Sequence, residues 1–279
     1  MLSGGKRSKG IARINTTELP LVSIITVTYN AAIFLEQALE SIVNQTYPNI
    51  ELIVIDGGST DGTLDIIQRF EANIDLWLSE PDKGIYDAMN KGLALATGTW
   101  VGFKNADDWY LPTAVAVLVE HASRKEADVW YGNTQSVIQE EPLATAPFYT
   151  SYHRLGKSNG IDHRSSFVRT ELHKKVLFDT RYRLAADLDA FWRLEKAGAR
   201  FAHIPEFLAY KRYGGASDGT VILEEVFQIN RTWKGLWFAC LAYLAVWRKF
   251  TVWKVGNLVL RTVLGNEGYL RFKQRRQAA

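Results

Sequence analysis

The sequence predicts an α/β protein with a mostly parallel central sheet flanked by helices. The chain has 279 residues, of which 47% are hydrophobic and 23% charged, a balance typical of globular domains. Short apolar runs rich in β-formers alternate with segments of helical spacing through the first two-thirds of the chain. Such alternation is typical of sheets in which a helix joins each strand to the next parallel strand.

Each predicted element has a local signal. The first strand is the apolar run LVSIITVT at residues 21–28, as expected of a strand buried on both faces. A helix follows, because Leu35, Leu39 and Ile42 share one face at helical spacing. Pro112 opens the last helix of this series. The other strands are predicted at 50–55, 74–78, 100–103 and 129–132, and the helices at 32–44, 63–70, 85–96 and 112–124.

Polar residues follow each of the first four predicted strands. In parallel sheets the ligand lies beyond the carboxyl ends of the strands, so these residues are the candidates for a site. Carboxylates repel phosphate unless a divalent cation lies between them, and such hard oxygen ligands favour Mg²⁺ or Mn²⁺. The residues are Thr28, Tyr29 and Asn30, then Asp56 to Asp61, then Asp82, Lys83 and Gly84, and finally Asn105, Ala106, Asp107 and Asp108.

Missing motifs exclude several classes of protein. No G-x-G-x-x-G follows the first strand, and the chain contains no G-x-x-x-x-G-K-[ST] and no G-x-S-x-G. These absences exclude a Rossmann dinucleotide site, a P-loop and a nucleophile elbow. The single cysteine, Cys240, excludes an internal disulfide and a cysteine-type zinc site.

Charge is distributed unevenly along the chain. Residues 231–279 carry ten Lys or Arg and one acid, and the first thirteen residues carry four bases and no acid. Residues 14–230 carry 19 bases and 29 acids. An acidic body of this kind predicts that nucleic acid is not a partner.

The basic C-terminal segment is also rich in tryptophan. Four of the nine tryptophans lie between Trp233 and Trp253. Tryptophan favours the membrane interface, and basic residues attract anionic lipid. The apolar run at 235–247 has thirteen residues, short of the roughly 20 that span a bilayer. We therefore expect a helix that lies on an anionic membrane surface, with packing as a cap on the main domain as the alternative.

Four segments together resemble the family 2 glycosyltransferases, which have the GT-A nucleotide-diphospho-sugar transferase fold. They are TVTYNAAIFLEQALESIVNQTYPNIELIVIDGGSTDGT, SEPDKGIYDAMNKGLALATGTWVGFKNADDWY, HRSSFVRTEL and LAADLDAFWRLEKAG, which occur in family order and span roughly residues 20–215. Bacterial members that build exopolysaccharide, capsule or O-antigen repeats share the pattern. The resemblance implies a catalytic domain at 20–220, preceded by a flexible basic arm at 1–19 and followed by the helical tail at 221–279.

The resemblance also implies roles for individual residues. The metal-binding D-x-D motif reads Asn105-Ala106-Asp107, so its first acid is replaced by Asn. Asp187 aligns with the catalytic base, and Asp189 is the runner-up. Two residues apart at a helix start, these two cannot share a face, so only one should enter the site. Nucleotide contacts are implied for Thr28, Tyr29, Asn30, Asp56, Asp82, Asn105 and Ala106; donor sugar or diphosphate contacts for Lys83, Gly84, Asp87, Asn90, Lys91 and Arg212; and metal contacts for Asp107, Asp108 and His163.

Structural roles compete with these assignments at several positions. Asp56 is equally suited to a turn and Asp187 to a helix N-cap. Asp87, Asn90 and Lys91 share a helix face that solvent alone would also explain. His163 also suits a core or loop position. The resemblance places Arg212 in a mobile loop that closes on the diphosphate, and a plain surface turn is the alternative.

The function implied is inverting transfer of a sugar from a nucleoside-diphosphate sugar to a hydroxyl of a saccharide acceptor. We expect a lipid-linked acceptor, a role in bacterial surface polysaccharide synthesis and a cytoplasmic location, peripheral on the inner face of the cell membrane. A non-catalytic nucleotide-sugar-binding protein on the same fold is one alternative. A sugar nucleotidyltransferase is another, although Tyr29-Asn30-Ala31 replaces the basic, glycine-rich loop expected after its first strand.

Overall fold

The computed structural model describes residues 1–138, 141–142, 161–212, 221–241, 243–244, 262 and 265. In these residues one sheet carries helices on both faces. The strands are β1 Leu2–Gly4, β2 Val22–Thr28, β3 Ile50–Asp56, β4 Leu76–Ser79, β5 Trp100–Asn105, β6 Asp108–Tyr110, β7 Val129–Ile138, β8 Glu141–Pro142, β9 Ser166–Arg169 and β10 Phe201–Arg212. The helices are α1 Leu35–Val43, α2 Thr63–Arg69, α3 Ile85–Leu95, α4 Ala114–Arg124, α5 Thr170–Lys175, α6 Ala186–Lys196 and α7 Val221–Lys234.

The predicted α/β class is confirmed, but the sheet is mixed rather than mostly parallel. Its order is β1-β4-β3-β2-β5-β9-β7-β10-β6, with β8 beside β7. Pairing is parallel from β4 through β3 and β2 to β5, and again between β7 and β10. β1, β6, β8 and β9 pair antiparallel with their neighbours. These four strands have two to four residues each, too few for a strand pattern to stand out in the sequence.

The core forms two layers, one on each face of the sheet. Every residue of β2 and of β3 is buried, as expected of strands covered by helices on both sides. Helix α3 lies unusually close to the sheet at Gly92, where an added Cβ would come within 2.4 Å of Ile25 Cγ2. Only glycine allows this approach, which fixes the height of α3 above β2 and β3.

Parallel register brings the carboxyl ends of the central strands to one edge. Thr28 lies opposite Asp56, and Asp56 lies opposite Ser79. On the other side of β2, Val27 lies opposite Asn105. The polar segments that follow these strands therefore meet at one place, as the sequence predicts.

The structure places the first thirteen residues of the predicted flexible arm against the domain. β1 pairs antiparallel with β4 and forms an edge of the sheet. Arg7 lies 3.2 Å from Glu51, and Arg13 lies 2.9 Å from Asp75; both carboxylate side chains are 1% exposed. A buried carboxylate needs a cation or hydrogen-bond donors, so the acids of the body hold the arm in place. The arm lacks an apolar run, and this dependence on distant acids left no signal in its own sequence.

The beginning of the C-terminal tail packs on the domain as a helical cap. The indole Nε1 of Trp233 donates to Asp189 Oδ1 at 2.9 Å, and Lys234 Nζ lies 4.5 Å from the ring centroid of Trp192. Ile229 is fully buried. A second helical segment at 236–241 follows Gly235, while Trp247 and Trp253 lie outside the described residues. Within the part of the chain that the structure describes, every helix is too short or too polar to cross a bilayer.

We expect the double variant Arg7→Ala, Arg13→Ala to unfold several degrees below the native chain. Each substitution leaves a buried carboxylate without its cation, at a cost of about 1–3 kcal/mol. For a domain of this size, 1 kcal/mol lowers the melting temperature by about 2–4 °C. Calorimetry measures the shift. The control is Lys9→Ala in the same arm, since Lys9 is 60% exposed and pairs with the partly exposed Glu71. Equal melting temperatures for the double variant and the native chain would support a flexible arm.

Candidate functional site

A cleft of about 780 Å³ opens at the carboxyl edge of the parallel strands. Its volume lies within the usual range of about 300–1,000 Å³ for ligand sites. Ten of the residues singled out from the sequence line it: Thr28, Tyr29, Asn30, Asp82, Lys83, Gly84, Asp87, Asn105, Ala106 and Asp107. The other lining residues are Val27, Ala31, Phe34, Ile85, Tyr86, Ala88, Thr180, Tyr182, Arg183 and Leu184. The structure thus brings three strand ends and the loop before α6 to one cavity.

The loop after β2 forms one wall of the cleft. Asn30 has φ 47°, in the left-handed region, which asparagine tolerates better than most residues. Its side-chain Oδ1 accepts from the backbone N–H of Thr60, and its own N–H donates to Ser59 Oγ. These bonds tie the loop after β2 to the turn after β3. Tyr29, next to Asn30, is 65% exposed, so its ring presents an open face in the cleft wall.

Asp56 has a structural role in this arrangement. The side chain is fully buried, and its carboxylate accepts from the backbone N–H groups of Gly58 and Ser59 and from the hydroxyls of Ser59 and Ser79. Asp56 is not among the residues that line the cleft. The turn-forming role weighed for it therefore describes its contacts better than the predicted nucleotide contact does.

The segment after β4 forms the second wall. Gly84 has φ 114°, a conformation that favours glycine, and its N–H donates to Asp82 Oδ1 at 2.8 Å. Asp87, in the first turn of α3, accepts from the backbone N–H of Lys83 at 3.0 Å. Three polar side chains, Asp82, Lys83 and Asp87, are thus held in the wall by a tight turn and a helix start.

The other two residues of the predicted α3 face, Asn90 and Lys91, have partners in neighbouring segments, and Lys91 also lies 3.7 Å from Asp87. Asn90 donates to the carbonyl of Phe178 and accepts from its N–H, both at 2.9 Å. Lys91 Nζ lies 2.8 Å from Glu80, whose carboxylate raises the pKa of the lysine. Neither Asn90 nor Lys91 lines the cleft. These side chains fasten α3 to neighbouring segments, and their donor contacts stay predictions.

Asp107 and Asp108 occupy different environments although they are adjacent. Asp107 lines the cleft, where burial and the neighbouring Asp108 raise its pKa and Arg164 acts in the opposite direction. Asp108 is 1% exposed and lies outside the cleft wall. Its Oδ2 accepts from Arg164 Nε at 2.5 Å and from Asn105 Nδ2 at 3.1 Å. These two donors hold Oδ2, while Oδ1 is buried without a hydrogen-bond partner in the described residues, so the metal contact of Asp108 stays a prediction.

Lys104 and Arg164 form a buried basic pair behind the end of β5. Lys104 Nζ donates to the carbonyl of Arg164 at 2.8 Å and lies 3.6 Å from the ring centroid of Tyr110. Burial lowers the pKa of Lys104 to about 7, although the nearby Asp108 acts in the opposite direction. Sequence reasoning missed this pair, because a lysine within a strand reads as an exposed residue until its strand is known to be central. The network holds the segment from β5 to β6 in position.

The cleft suits a metal ion that takes one or two ligands from the protein and the rest from the substrate and water. Among the described residues, no group of three His, Cys, Asp or Glu side chains is placed to hold a metal ion. Asp107 offers a carboxylate, and Asn105 Oδ1 is buried with no hydrogen-bond partner in the described residues. Mg²⁺ is commonly bound by one or two carboxylates together with substrate phosphates and waters. Asp107 and Asn105 suit that mode.

The two acids at the start of α6 point in different directions, and neither is among the residues that line the cleft. Asp187 Oδ2 lies 2.8 Å from His163 Nδ1, and Oδ1 accepts from the hydroxyl of Tyr86 at 3.2 Å. Asp189 faces the other way, where it accepts from Arg193 Nε and Trp233 Nε1. Asp187 is therefore the acid linked to the cleft, through the lining residue Tyr86. His163, predicted as a metal ligand, binds Asp187 instead and does not line the cleft.

Tyr86 is a site residue that sequence reasoning missed. Burial raises the pKa of Tyr86 well above its usual range, and Asp187 adds to the effect, so the hydroxyl is a neutral donor. Tyr86 precedes the predicted Asp87, but one sequence gives no sign that it meets an acid 101 residues later. Its position in the first turn of α3, beside the cleft, was the only available signal.

The loop before α6 closes the remaining side and was also missed. Glu225 of α7 accepts from the backbone N–H groups of Arg183, Leu184 and Ala185, at 2.7–3.0 Å. This clamp holds the loop at the cleft, where Arg183 is an exposed lining residue. The C-terminal helix thus supports the site as well as the core.

Arg212 ends strand β10 rather than lying in a loop. Its Nη2 donates to Gln37 Oε1 at 2.7 Å, and its guanidinium lies 4.9 Å from the ring centroid of Phe34, a residue of the cleft wall. Arg212 itself is not among the lining residues. The loop predicted to close on the diphosphate, at 213–220, lies outside the described residues.

Comparison with known proteins agrees with this geometry. The sequence pattern of the family described as "Glycosyl transferase family 2" matches residues 23–175. A "PGL/p-HBAD biosynthesis glycosyltransferase" of Mycobacterium tuberculosis is 35% identical over 211 residues, which cover 72% of this chain and 81% of the relative.

Two solved structures share the fold. The S. aureus protein TarS in complex with UDP-GlcNAc superimposes with a TM-score of 0.57 and 20% identity over 75% of this chain. The matched region covers 64% of that TarS chain. The mannosyltransferase PcManGT from Pyrobaculum calidifontis, in complex with GDP-Man and Mn²⁺, has a TM-score of 0.59 and 18% identity, and the match covers 97% of this chain and 89% of that one. The α/β sheet with helices on both faces is that of GT-A glycosyltransferases. The family pattern and the relatives establish that this chain is a glycosyltransferase and belongs to glycosyltransferase family 2.

Proposed function

We propose that the chain transfers a sugar from a nucleoside-diphosphate sugar to a hydroxyl of a saccharide acceptor, with inversion at the anomeric carbon. The observation that carries this proposal is the division of acids around one cleft. Asp107 lies in the cleft wall, while Asp187 lies behind the wall and contacts it through Tyr86. One acid is available to a cation and the other to a proton.

The donor fits the cleft by its chemistry. The exposed ring of Tyr29 offers a stacking surface for a base, and Asn30 and Asp82 offer polar groups beside it. Lys83 and Arg183 supply positive charge in the wall for a diphosphate. The solved relatives in complex with UDP-GlcNAc and with GDP-Man suggest the two donor classes to test first.

The reaction follows from these positions. Asp107, with Asn105 beside it, would hold a divalent cation, which offsets the negative charge that builds on the leaving diphosphate. Asp187 accepts the proton of the acceptor hydroxyl as its oxygen attacks the anomeric carbon. The bond from that carbon to the diphosphate breaks, and the nucleoside diphosphate leaves with the bonding electrons. One such displacement inverts the configuration and needs no covalent intermediate.

We further propose that the tail attaches the enzyme to the inner face of an anionic membrane. Leu236, Trp237, Leu241 and Leu244 are each more than half exposed, and Trp237 is 80% exposed. Leu236, Trp237 and Leu241 lie on the helical segment 236–241 that follows α7, and Leu244 lies three residues beyond Leu241. The ten bases of residues 231–279 lie on either side of these four residues. Apolar side chains with tryptophan and neighbouring bases suit an interfacial helix. This location gives access to a lipid-linked acceptor of the kind used in surface polysaccharide synthesis.

We expect Asp107→Ala to abolish the divalent-cation dependence of nucleoside-diphosphate binding, because the substitution removes the cleft carboxylate. Calorimetric titration with UDP and with GDP, each with Mn²⁺ and with EDTA, measures the effect. The native chain should bind one of them more tightly in Mn²⁺, by about tenfold or more, equivalent to about 1.4 kcal/mol. The control is Asp65→Asn, an exposed acid on α2 outside the cleft. An unchanged cation dependence in Asp107→Ala would contradict the role of Asp107.

We expect Asp187→Asn to lower kcat by about 10²-fold or more, because the amide cannot take the acceptor proton. Donor affinity should change little, since Asp187 does not line the cleft. Asp189→Asn is the matched comparison; it weakens bonds to Arg193 and Trp233, so it should lower the melting temperature with kcat nearly unchanged. If Asp189→Asn loses kcat while Asp187→Asn keeps it, the base is wrongly assigned. A chain that binds donor normally but transfers nothing would support a non-catalytic binding protein.

We expect the triple variant Trp237→Ser, Leu241→Ser, Leu244→Ser to lose most of its binding to anionic vesicles at low salt, while it retains nucleotide binding. Sedimentation with phosphatidylglycerol vesicles and with phosphatidylcholine vesicles measures it. Point variants are better than truncation near Asn230, which would remove the Trp233 contact to Asp189. Ile14→Ser, at an exposed apolar residue of the arm, is the control. A native chain that ignores anionic vesicles would refute membrane attachment.

A further inference from the structure

The carboxylate of Asp187 is held by three donors. Its Oδ1 accepts from the hydroxyl of Tyr86 at 3.2 Å and from the backbone N–H of Leu188 at 2.9 Å. Its Oδ2 lies 2.8 Å from Nδ1 of His163. The side chains of His163 and Asp187 are 8% and 6% exposed, so water has little access to the pair. Each carboxylate oxygen is therefore fixed by groups of this chain.

These contacts determine the tautomer of His163. A carboxylate is only an acceptor, so Nδ1 must carry the proton that joins the two residues. The other ring nitrogen, Nε2, is buried and has no hydrogen-bond partner in the described residues. A buried N–H without an acceptor is rarer than a buried acceptor without a donor. The neutral ring with hydrogen on Nδ1 and a lone pair on Nε2 satisfies both observations.

A second buried histidine shows what a purely structural role looks like. His173 is 2% exposed, and its Nδ1 lies 3.0 Å from the backbone carbonyl of Val176. It packs against Phe103 and Phe178, and burial lowers its pKa to about 4. His163 differs because its partner is the acid that contacts a residue of the cleft wall.

We propose that His163 is a positioning residue that orients the catalytic carboxylate of Asp187 through its Nδ1–H, with the Tyr86 hydroxyl as the second support. The catalytic part of this inference rests on the proposed function. The hydrogen bond between His163 and Asp187 and the tautomer of His163 do not depend on it. The terminal torsion of an aspartate side chain is broad, so an unsupported carboxylate samples many orientations. His163 holds Oδ2, while Oδ1 accepts from the hydroxyl of Tyr86, a residue of the cleft wall.

The turn that carries His163 is itself rigid. Asp162 Oδ1 accepts from the backbone N–H and from Nη1 of Arg164, and the backbone carbonyl of Asp162 accepts from Ser166 Oγ at 2.6 Å. Arg164 continues to Asp108, next to the proposed cation contact Asp107. One buried network therefore runs from the turn that carries His163 to Asp108, the neighbour of Asp107 in the chain.

Nitrogen NMR of the native chain tests the pairing without any substrate. Histidine ¹⁵N shifts distinguish a protonated from an unprotonated ring nitrogen, and His163→Asn identifies the His163 signals by their loss among the five histidines. We expect a protonated Nδ1 and an unprotonated Nε2 in neutral buffer, and loss of this state in Asp187→Ala, which removes the acceptor. A ring with hydrogen on Nε2 alone, or the same signals in Asp187→Ala, would overturn the proposal.

Two substitutions at His163 separate positioning from a structural role. The Asn amide nitrogen can occupy the place of Nδ1 and donate to Asp187, whereas the Gln amide extends beyond it. Release of nucleoside diphosphate from UDP-GlcNAc or GDP-Man, with water as the acceptor, gives kcat and KM. We expect His163→Gln to lower kcat on the order of 10²-fold with KM nearly unchanged, and His163→Asn to recover most of the rate. His173→Gln is the control for loss of a buried histidine, and rates are compared per folded protein.

The outcomes distinguish this inference from the proposed function. If Asp187→Asn loses kcat and His163→Gln does not, the function stands and the positioning role is wrong. Equal losses in His163→Gln and His163→Asn would indicate packing rather than orientation. If the native chain binds neither donor, the proposed function fails, and the NMR result alone decides whether His163 holds Asp187.

Discussion

The structure depends on the parallel pairing of β2 with β3 on one side and with β5 on the other. The register of these three strands buries all of β2 and places Thr28, Asp56 and Asn105 near one edge. Helices on both faces are needed to cover strands without a polar side. Each connection to a helix begins with a polar loop at that edge. The cleft is therefore a consequence of the same pairing that forms the core.

Behind the cleft, buried charges are arranged so that a few side chains remain available. Asp56 is held by a turn, and Oδ2 of Asp108 is held by Arg164 and Asn105; neither residue lines the cleft. Asp107 and Asp187 are left in contact with the cleft or with its wall. Buried ionic groups are costly unless they are paired, and the pairs found here leave Asp107 in the cleft wall and Asp187 in contact with Tyr86.

The sequence predicted the fold class, the first strands and the main site loops, because their signals are local. β2 and β3 read as apolar runs, and the polar loops follow strand ends that a parallel sheet aligns. It did not predict the ordered N-terminal arm or the partners of Asp56, Asp108 and His163. Those depend on pairs such as Arg7 with Glu51, which lie 44 residues apart and leave no pattern in either segment. The roles of the adjacent acids Asp107 and Asp108 could not be distinguished from the sequence, because their different neighbours depend on the fold.

The central claim is that a nucleoside diphosphate and a divalent cation bind together at this edge of the sheet. An amide NMR titration of the native chain with UDP and with GDP, each with and without Mg²⁺, tests it most directly. One of the two should shift the signals of Thr28 to Ala31, Lys83 to Asp87 and Asn105 to Asp107, and should do so fully only with Mg²⁺. Shifts confined to other surfaces, or equal shifts without the cation, would contradict the account.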